Sequence, residues 1–261
     1  MKTLNYVLLF IILLTHMSYA ESYTPPYLQS GINELNCGYD EWNIERFMRA
    51  EELFEKASNK ARDNYLPYYW KGVAQFHIIL FYLGDRTPGI EKDKVKKVIE
   101  NAIADLEKAI ALNPNDSESY ALLGTITGMK IGGKPISALW LGSKVMRCKK
   151  QALSLNPENP RVHYLTGASY FHAPGILGGV EKSLEHFLRA EALFEQEAIA
   201  GKDSLKPQWG YSACLAFIAQ VYVKVGNKKE AEHYYKKALR INPHDKLAQK
   251  GLAQLKNLDT T

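Results

Sequence analysis

Three times the chain writes nearly the same helix terminus: KAIALNPND at 108–116, QALSLNPEN at 151–159 and KALRINPHD at 237–245. Proline ends a helix because it has no N–H and disfavours helical backbone in the residue before it. Counting back from each proline gives one pattern. Ala102, Leu106 and Ala109 precede Pro114; Val145, Lys149 and Ala152 precede Pro157; Ala231, Tyr235 and Ala238 precede Pro243. Steps of three and four residues share one helical face. Small residues there let a second helix approach closely, and the bulkier one fills the space between.

The prolines lie 43 and then 86 residues apart, so the longer gap must hide a further copy. Ser183, Phe187 and Ala190 supply it, with Glu195 where proline would stand. A fainter copy precedes them all at Ala50, Phe54 and Ala57. Each such helix needs an antiparallel partner upstream, and four are legible. They centre on Trp70, Val73, Ala74 and His77; on Tyr120, Leu123, Gly124 and Thr127; on His163, Thr166, Gly167 and Tyr170; and on Leu215, Ile218, Ala219 and Tyr222.

This pattern resembles the tetratricopeptide repeat over residues 44–258, and the last unit, 212–245, fits the repeat length without insertion. The resemblance implies an all-α protein, a right-handed α-solenoid of four to five helix pairs. A single pair cannot bury its apolar face alone, so neighbours must stack. The segment PHDKLAQKGLAQLKNL then forms a C-terminal capping helix with Leu247, Gly251, Leu252 and Leu255 facing inward. Residues 21–43 show no period and read as an N-terminal arm.

The resemblance also implies that the first helix of each pair lines a concave groove. Tyr68, Lys71, Gln75, Thr125, Arg161, Tyr164, Phe171, His172, Gln220 and Lys224 would project there as candidate partner-binding residues. Aromatic rings would supply contact area, and the cations would meet carboxylates. Three units exceed the ideal length. Their surplus, GDRTPGIEKDKVKK at 84–97, GMKIGGKPISALW at 128–140 and HAPGILGGVEK at 172–182, falls between the two helices of a pair and is punctuated by glycine and proline. Loops, or loops with helix extensions, would therefore gather on one rim.

The first twenty residues, MKTLNYVLLFIILLTHMSYA, combine an early lysine, a short apolar run and small residues at Ser18 and Ala20. That pattern is a cleaved secretory signal with its cut at Ala20/Glu21, which makes the protein periplasmic or secreted. The apolar run is short for a spanning helix. Cys37, Cys148 and Cys214 match no metal spacing, and the latter two read as small buried residues on helices. The net charge of +5 is too diffuse for nucleic-acid binding.

GMKIGGKP at 128–135 follows the spacing of a phosphate loop but ends in Pro135, where a hydroxyl should hold Mg²⁺. The histidines have no ligand spacing and no nucleophile elbow is present. The sequence thus predicts no cofactor and a protein- or peptide-binding scaffold of the cell envelope. Exported helical repeats with APGILGGVEKSLEHFLRA are also similar to the T-component of TRAP-type transporter systems, which implies a substrate-binding protein as partner. An envelope enzyme with its site beneath the inserted loops is the opposing class, and no acid/base or metal constellation in the sequence supplies one.

Overall fold

The computed structural model describes residues 26–84, 92–132, 135–173, 179–200 and 207–258. Residues 1–20, with the expected signal, lie outside the described residues, as do 85–91, 133–134 and 174–178 within the three inserts. The described residues form eleven helices and no strand. They are α1 Pro26–Glu41, α2 Ile44–Lys60, α3 Tyr65–Gly84, α4 Lys92–Leu112, α5 Ser117–Ile131, α6 Pro135–Leu155, α7 Pro160–His172, α8 Val180–Ala200, α9 Tyr211–Lys224, α10 Lys228–Ile241 and α11 Lys246–Leu258. Consecutive helices pair as α1/α2, α3/α4, α5/α6, α7/α8 and α9/α10, the pairs stack in order, and α11 caps the last.

The repeated terminus turns out to end one helix and start the next. At each site the backbone N–H of the first asparagine donates to the alanine four residues back: Asn113 to Ala109 at 2.8 Å, Asn156 to Ala152 at 3.2 Å, Asn242 to Ala238 at 2.9 Å. The asparagine side chain then accepts from the backbone two residues on, at 3.2, 3.1 and 2.9 Å, which turns the chain. Pro114, Pro157 and Pro243 prevent the helix from continuing. The fourth residue of the motif caps the next helix. Asp116 accepts from Ser119 N, Asn159 from Arg161 N and Val162 N, and Asp245 from Ala248 N. The first junction repeats this without proline. Ala61 N–H donates to Ala57, and the Asn64 side chain accepts from Leu66 N.

The small residues of the pattern are the tightest points of the core. Ala50, Ala57, Ala102, Ala109, Ala152, Ala190, Ala231 and Ala238 are fully buried, as are Phe54, Leu106 and Phe187 between them. Glycine on the facing helix completes the contact. A Cβ on Gly167 would stand 2.7 Å from the Phe187 ring, closer than atoms can pack.

One sequence expectation needs correction. Residues 26–41 are no arm: they form α1, whose Leu28, Ile32 and Leu35 are buried against α2 and whose Gly31 would place a Cβ 2.6 Å from Phe54. Pro26 opens this helix at the position where a missing N–H costs nothing. The described part of the surplus residues, expected to form loops or loops with helix extensions, takes the helix-extension form. The second helices α4 and α6 gain their extra turns from these residues and run 21 residues each, against 14 in α10; α8 is as long but gains its turns at the other end. Without a proline near Glu195, α8 continues to Ala200.

Candidate functional site

The connection from α8 to α9 brings Trp209 into the concave side. The indole is 2% exposed. It packs on Phe76 at 5.9 Å and His77 at 5.7 Å from α3, and on Tyr164 at 6.4 Å from α7. Tyr39 of α1 meets the same centre edge-on through His77. The Tyr39 hydroxyl lies 2.8 Å from Ser212 Oγ and accepts from Gly210 N–H, and the Tyr39 carbonyl accepts from Asn242 Nδ2 at 3.0 Å. The first helix pair therefore touches the last across the throat. Gly210 makes the bend possible with φ +105°, a conformation that side chains disfavour.

A buried ion network holds this connection. Arg161 is 1% exposed and donates Nη1 and Nη2 to Glu197 at 2.8 and 2.7 Å, with Nη2 also reaching the Pro207 carbonyl. Its guanidinium lies 5.4 Å over Phe194 and 5.8 Å from Trp209. Behind it, Glu118 approaches to 3.8 Å and accepts from Tyr69 and from Asn159 Nδ2. Burial alone would weaken both charges. It raises the Glu118 carboxyl above its usual range, whereas for Arg161 the attraction of Glu118 and Glu197 outweighs burial and holds the guanidinium charged. Burial drives the His77 imidazole down to about 4, so this histidine is neutral and donates Nδ1–H to the Val73 carbonyl at 2.8 Å.

These contacts correct the expected groove. Arg161, Tyr164 and Gln75 are buried and present no surface. Lys71 and Gln75 face neighbouring second helices instead: Lys71 pairs with Glu55 of α2 and Asp105 of α4, and Gln75 donates to Glu51 at 2.9 Å and Asp105 at 3.0 Å. Tyr68 is half-buried against the core, and Thr125 bonds back to its own helix at the Ala121 carbonyl. The cleft bordered by Gly124, Thr125, Lys149 and Thr166 holds about 10 Å³, enough for roughly one water.

The remaining candidates come together at the open end of α7 and α9. Phe171 and Phe217 meet edge to face at 5.5 Å, and His172 stands edge-on to both at 5.1 and 5.7 Å. Lys224 Nζ sits 3.6 Å over the Phe171 ring, and half-buried Gln220 lies one turn before it on α9. His172 is exposed yet lowered in pKa, first by partial burial and then by Lys224. Phe217 was missing from the sequence reading, although it lies three residues before Gln220 and seven before Lys224 on the same helical row. Elsewhere, two histidines without ligand spacing do meet. His163 Nε2–H donates to the Pro157 carbonyl, so its Nδ1 accepts from His186 Nδ1–H at 3.0 Å. No group of three His, Cys, Asp or Glu side chains suited to a metal occurs among the described residues, and Cys37, Cys148 and Cys214 are all free thiols.

Residues 212–245 match a tetratricopeptide repeat model, and residues 97–116 match a second model of the same repeat. The chain carries tetratricopeptide repeats. Among solved structures, it is similar to a thermophilic tetratricopeptide protein of Thermus thermophilus, at 18% identity and a TM-score of 0.60, covering 86% of this chain and 98% of that one. The HusA haemophore of Porphyromonas gingivalis is similar at 18% identity and a TM-score of 0.61, over 76% and 94% of the two chains. At such identity the likeness is one of fold. No curated protein matches the sequence. The chain is an all-α helical-repeat solenoid, and none of its described helices is long and apolar enough to cross a membrane.

Proposed function

We propose that this chain is an exported scaffold of the cell envelope that seats a protein partner on the rim formed by Phe171, His172, Phe217 and Lys224. The observation that carries the reading is Trp209, which is buried among Phe76, His77 and Tyr164, while exposed His172 and Lys224 stand beside half-buried Phe171 and Phe217. The rings offer rigid contact area and Lys224 selects an acidic or carboxylate-bearing segment. The N-terminal residues support export, and the resemblance to a TRAP T-component supports a substrate-binding protein as the partner.

Crosslinking capture from the native envelope would identify the partner. Phe217→Ala should weaken that complex by about 2 kcal/mol if the ring is an anchor. Lys224→Glu should slow association and flatten its salt dependence. Affinity unchanged in both variants would remove the rim from the reading, and a mature chain that does not begin at Glu21 would remove export.

The exposed His172, edge-on to two phenylalanines, favours a second reading in which a flat aromatic ligand stacks there. Haemin titration distinguishes it. A shifted absorbance band in the wild type that is lost in His172→Ala would replace the protein partner with such a ligand.

A further inference from the structure

A helix on the surface of a folded domain normally turns its apolar side inward and its polar side to water. The N-terminal half of α6 turns an apolar side outward as well. Ile136 is 77% exposed, Leu139 79%, Trp140 75% and Met146 54%. At helical spacing these side chains share one outward stripe, opposite the Val145, Cys148 and Ala152 side that meets α5. The same outward face continues into Arg147 and Lys150, which have no carboxylate within ion-pair range among the described residues. Lys130 and Lys144, to either side, pair with Glu100 and Glu107 of α4.

The sequence around the stripe is one-sided in charge. Between Glu118 and Glu158 there are six basic residues and no acidic one. Without those six, the chain's net charge of +5 becomes −1, so this segment holds the whole positive excess. An exposed tryptophan with aliphatic neighbours, flanked by lysine and arginine and free of carboxylates, is the composition that settles into the headgroup boundary of an anionic bilayer. The rings and aliphatic chains enter the acyl edge while the long cationic side chains reach the phosphates.

We infer that the N-terminal part of α6 is a membrane-surface docking helix, whose occupant is a bilayer rich in anionic phospholipid. The helix lies on that surface without crossing it. A second copy of the chain or an acidic protein would be the competing occupants, and charge asymmetry together with an interfacial tryptophan favours lipid over both.

The test uses the full chain with vesicles of phosphatidylcholine alone or with phosphatidylglycerol. The N-terminal apolar run would itself carry the full chain to vesicles, so the readout must be local to Trp140. Trp70 and Trp209 are buried and Trp42 is half-buried, which leaves Trp140 as the exposed reporter. The expected result is a blue shift of its emission and quenching by brominated acyl chains, both confined to vesicles with phosphatidylglycerol and both absent in Trp140→Phe. Reversing Arg147 and Lys150 to Glu should reduce the quenching-derived affinity about tenfold or more. An unquenched Trp140 on anionic vesicles overturns the proposal, as does quenching indifferent to those charges. A concentration-dependent dimer that Leu139→Ser dissolves, with no quenching, would assign the face to a second copy instead.

Discussion

The second helices α6 and α8 have the same length but place their extra turns at opposite ends. Each runs 21 residues, well beyond the 14 of α10. The extra turns of α8 lie at its C-terminal end and fasten inward at two points, Phe194, 3% exposed, and Glu197, which grips the buried Arg161, while Ile199 beyond them is 86% exposed. The extra turns of α6 lie at its N-terminal end and hold Leu139 and Trp140 in the open. One extension fastens the connection that carries Trp209 into the throat, and the other leaves an apolar stripe unpartnered within the fold. Additional helix in a repeat array can thus fasten an interior connection or present an outward face, and the contacts of particular side chains tell the two apart.

The largest expected effect strikes the α8 side. Trp209→Ala empties the centre on which Phe76, His77 and Tyr164 converge, and should cost about 3–5 kcal/mol in denaturant unfolding. A loss below about 1 kcal/mol would mean that the throat is not packed as described and would dissolve the contrast with α6.

The next effect concerns acid. His77 is neutral when folded with a pKa of about 4, and in the unfolded chain it returns to its ordinary value near 6.5. The unfolded chain therefore binds more protons between those values. Stability from this group is full above pH 6.5 and falls as pH drops towards 4, by about 3 kcal/mol in total. Melting curves of the wild type and His77→Gln across that window should converge at low pH. Parallel curves would show that His77 does not titrate against the throat.

The smallest effect belongs to α6. Trp140→Ser should change stability by no more than about 0.5 kcal/mol, since a residue 75% exposed contributes little burial. A cost like that of Trp209→Ala would erase the distinction between the two extensions.

What the sequence disclosed and what it hid follow the range of the interactions. Alanine spacing and the asparagine–proline termini act within one helix or between neighbours, so α2 to α11, and the pairing from α3 onward, were legible from Ala102, Leu106, Ala109 and their copies. Helix α1 escaped because it lacks that terminus and carries Gly31 and Gly38, which look like loop residues until Phe54 and Phe47 are found pressed against them. The candidate site divides on the same ground. Phe171, His172, Gln220 and Lys224 remain on the inner rim, as their helical row requires. Arg161 and Tyr164 occupy the inner face too, but Trp209 arrives from a connection 45 residues later than Tyr164, and no local period announces such a contact. Phe217 shares the helical row of Gln220 and Lys224, which makes it legible from the sequence.

The bonds from Tyr39 to Ser212 and from Asn242 to Tyr39 join positions 173 and 203 residues apart. An open repeat array behaves as a one-dimensional chain of neighbours and can fray from either end. Here the two ends share hydrogen bonds, so neither can loosen without exposing the other. Cooperativity becomes a property of the closed circuit rather than of the individual repeats. Loss of the last pair would then release the first, and amide protons of α1 and α9 should exchange with a common free energy.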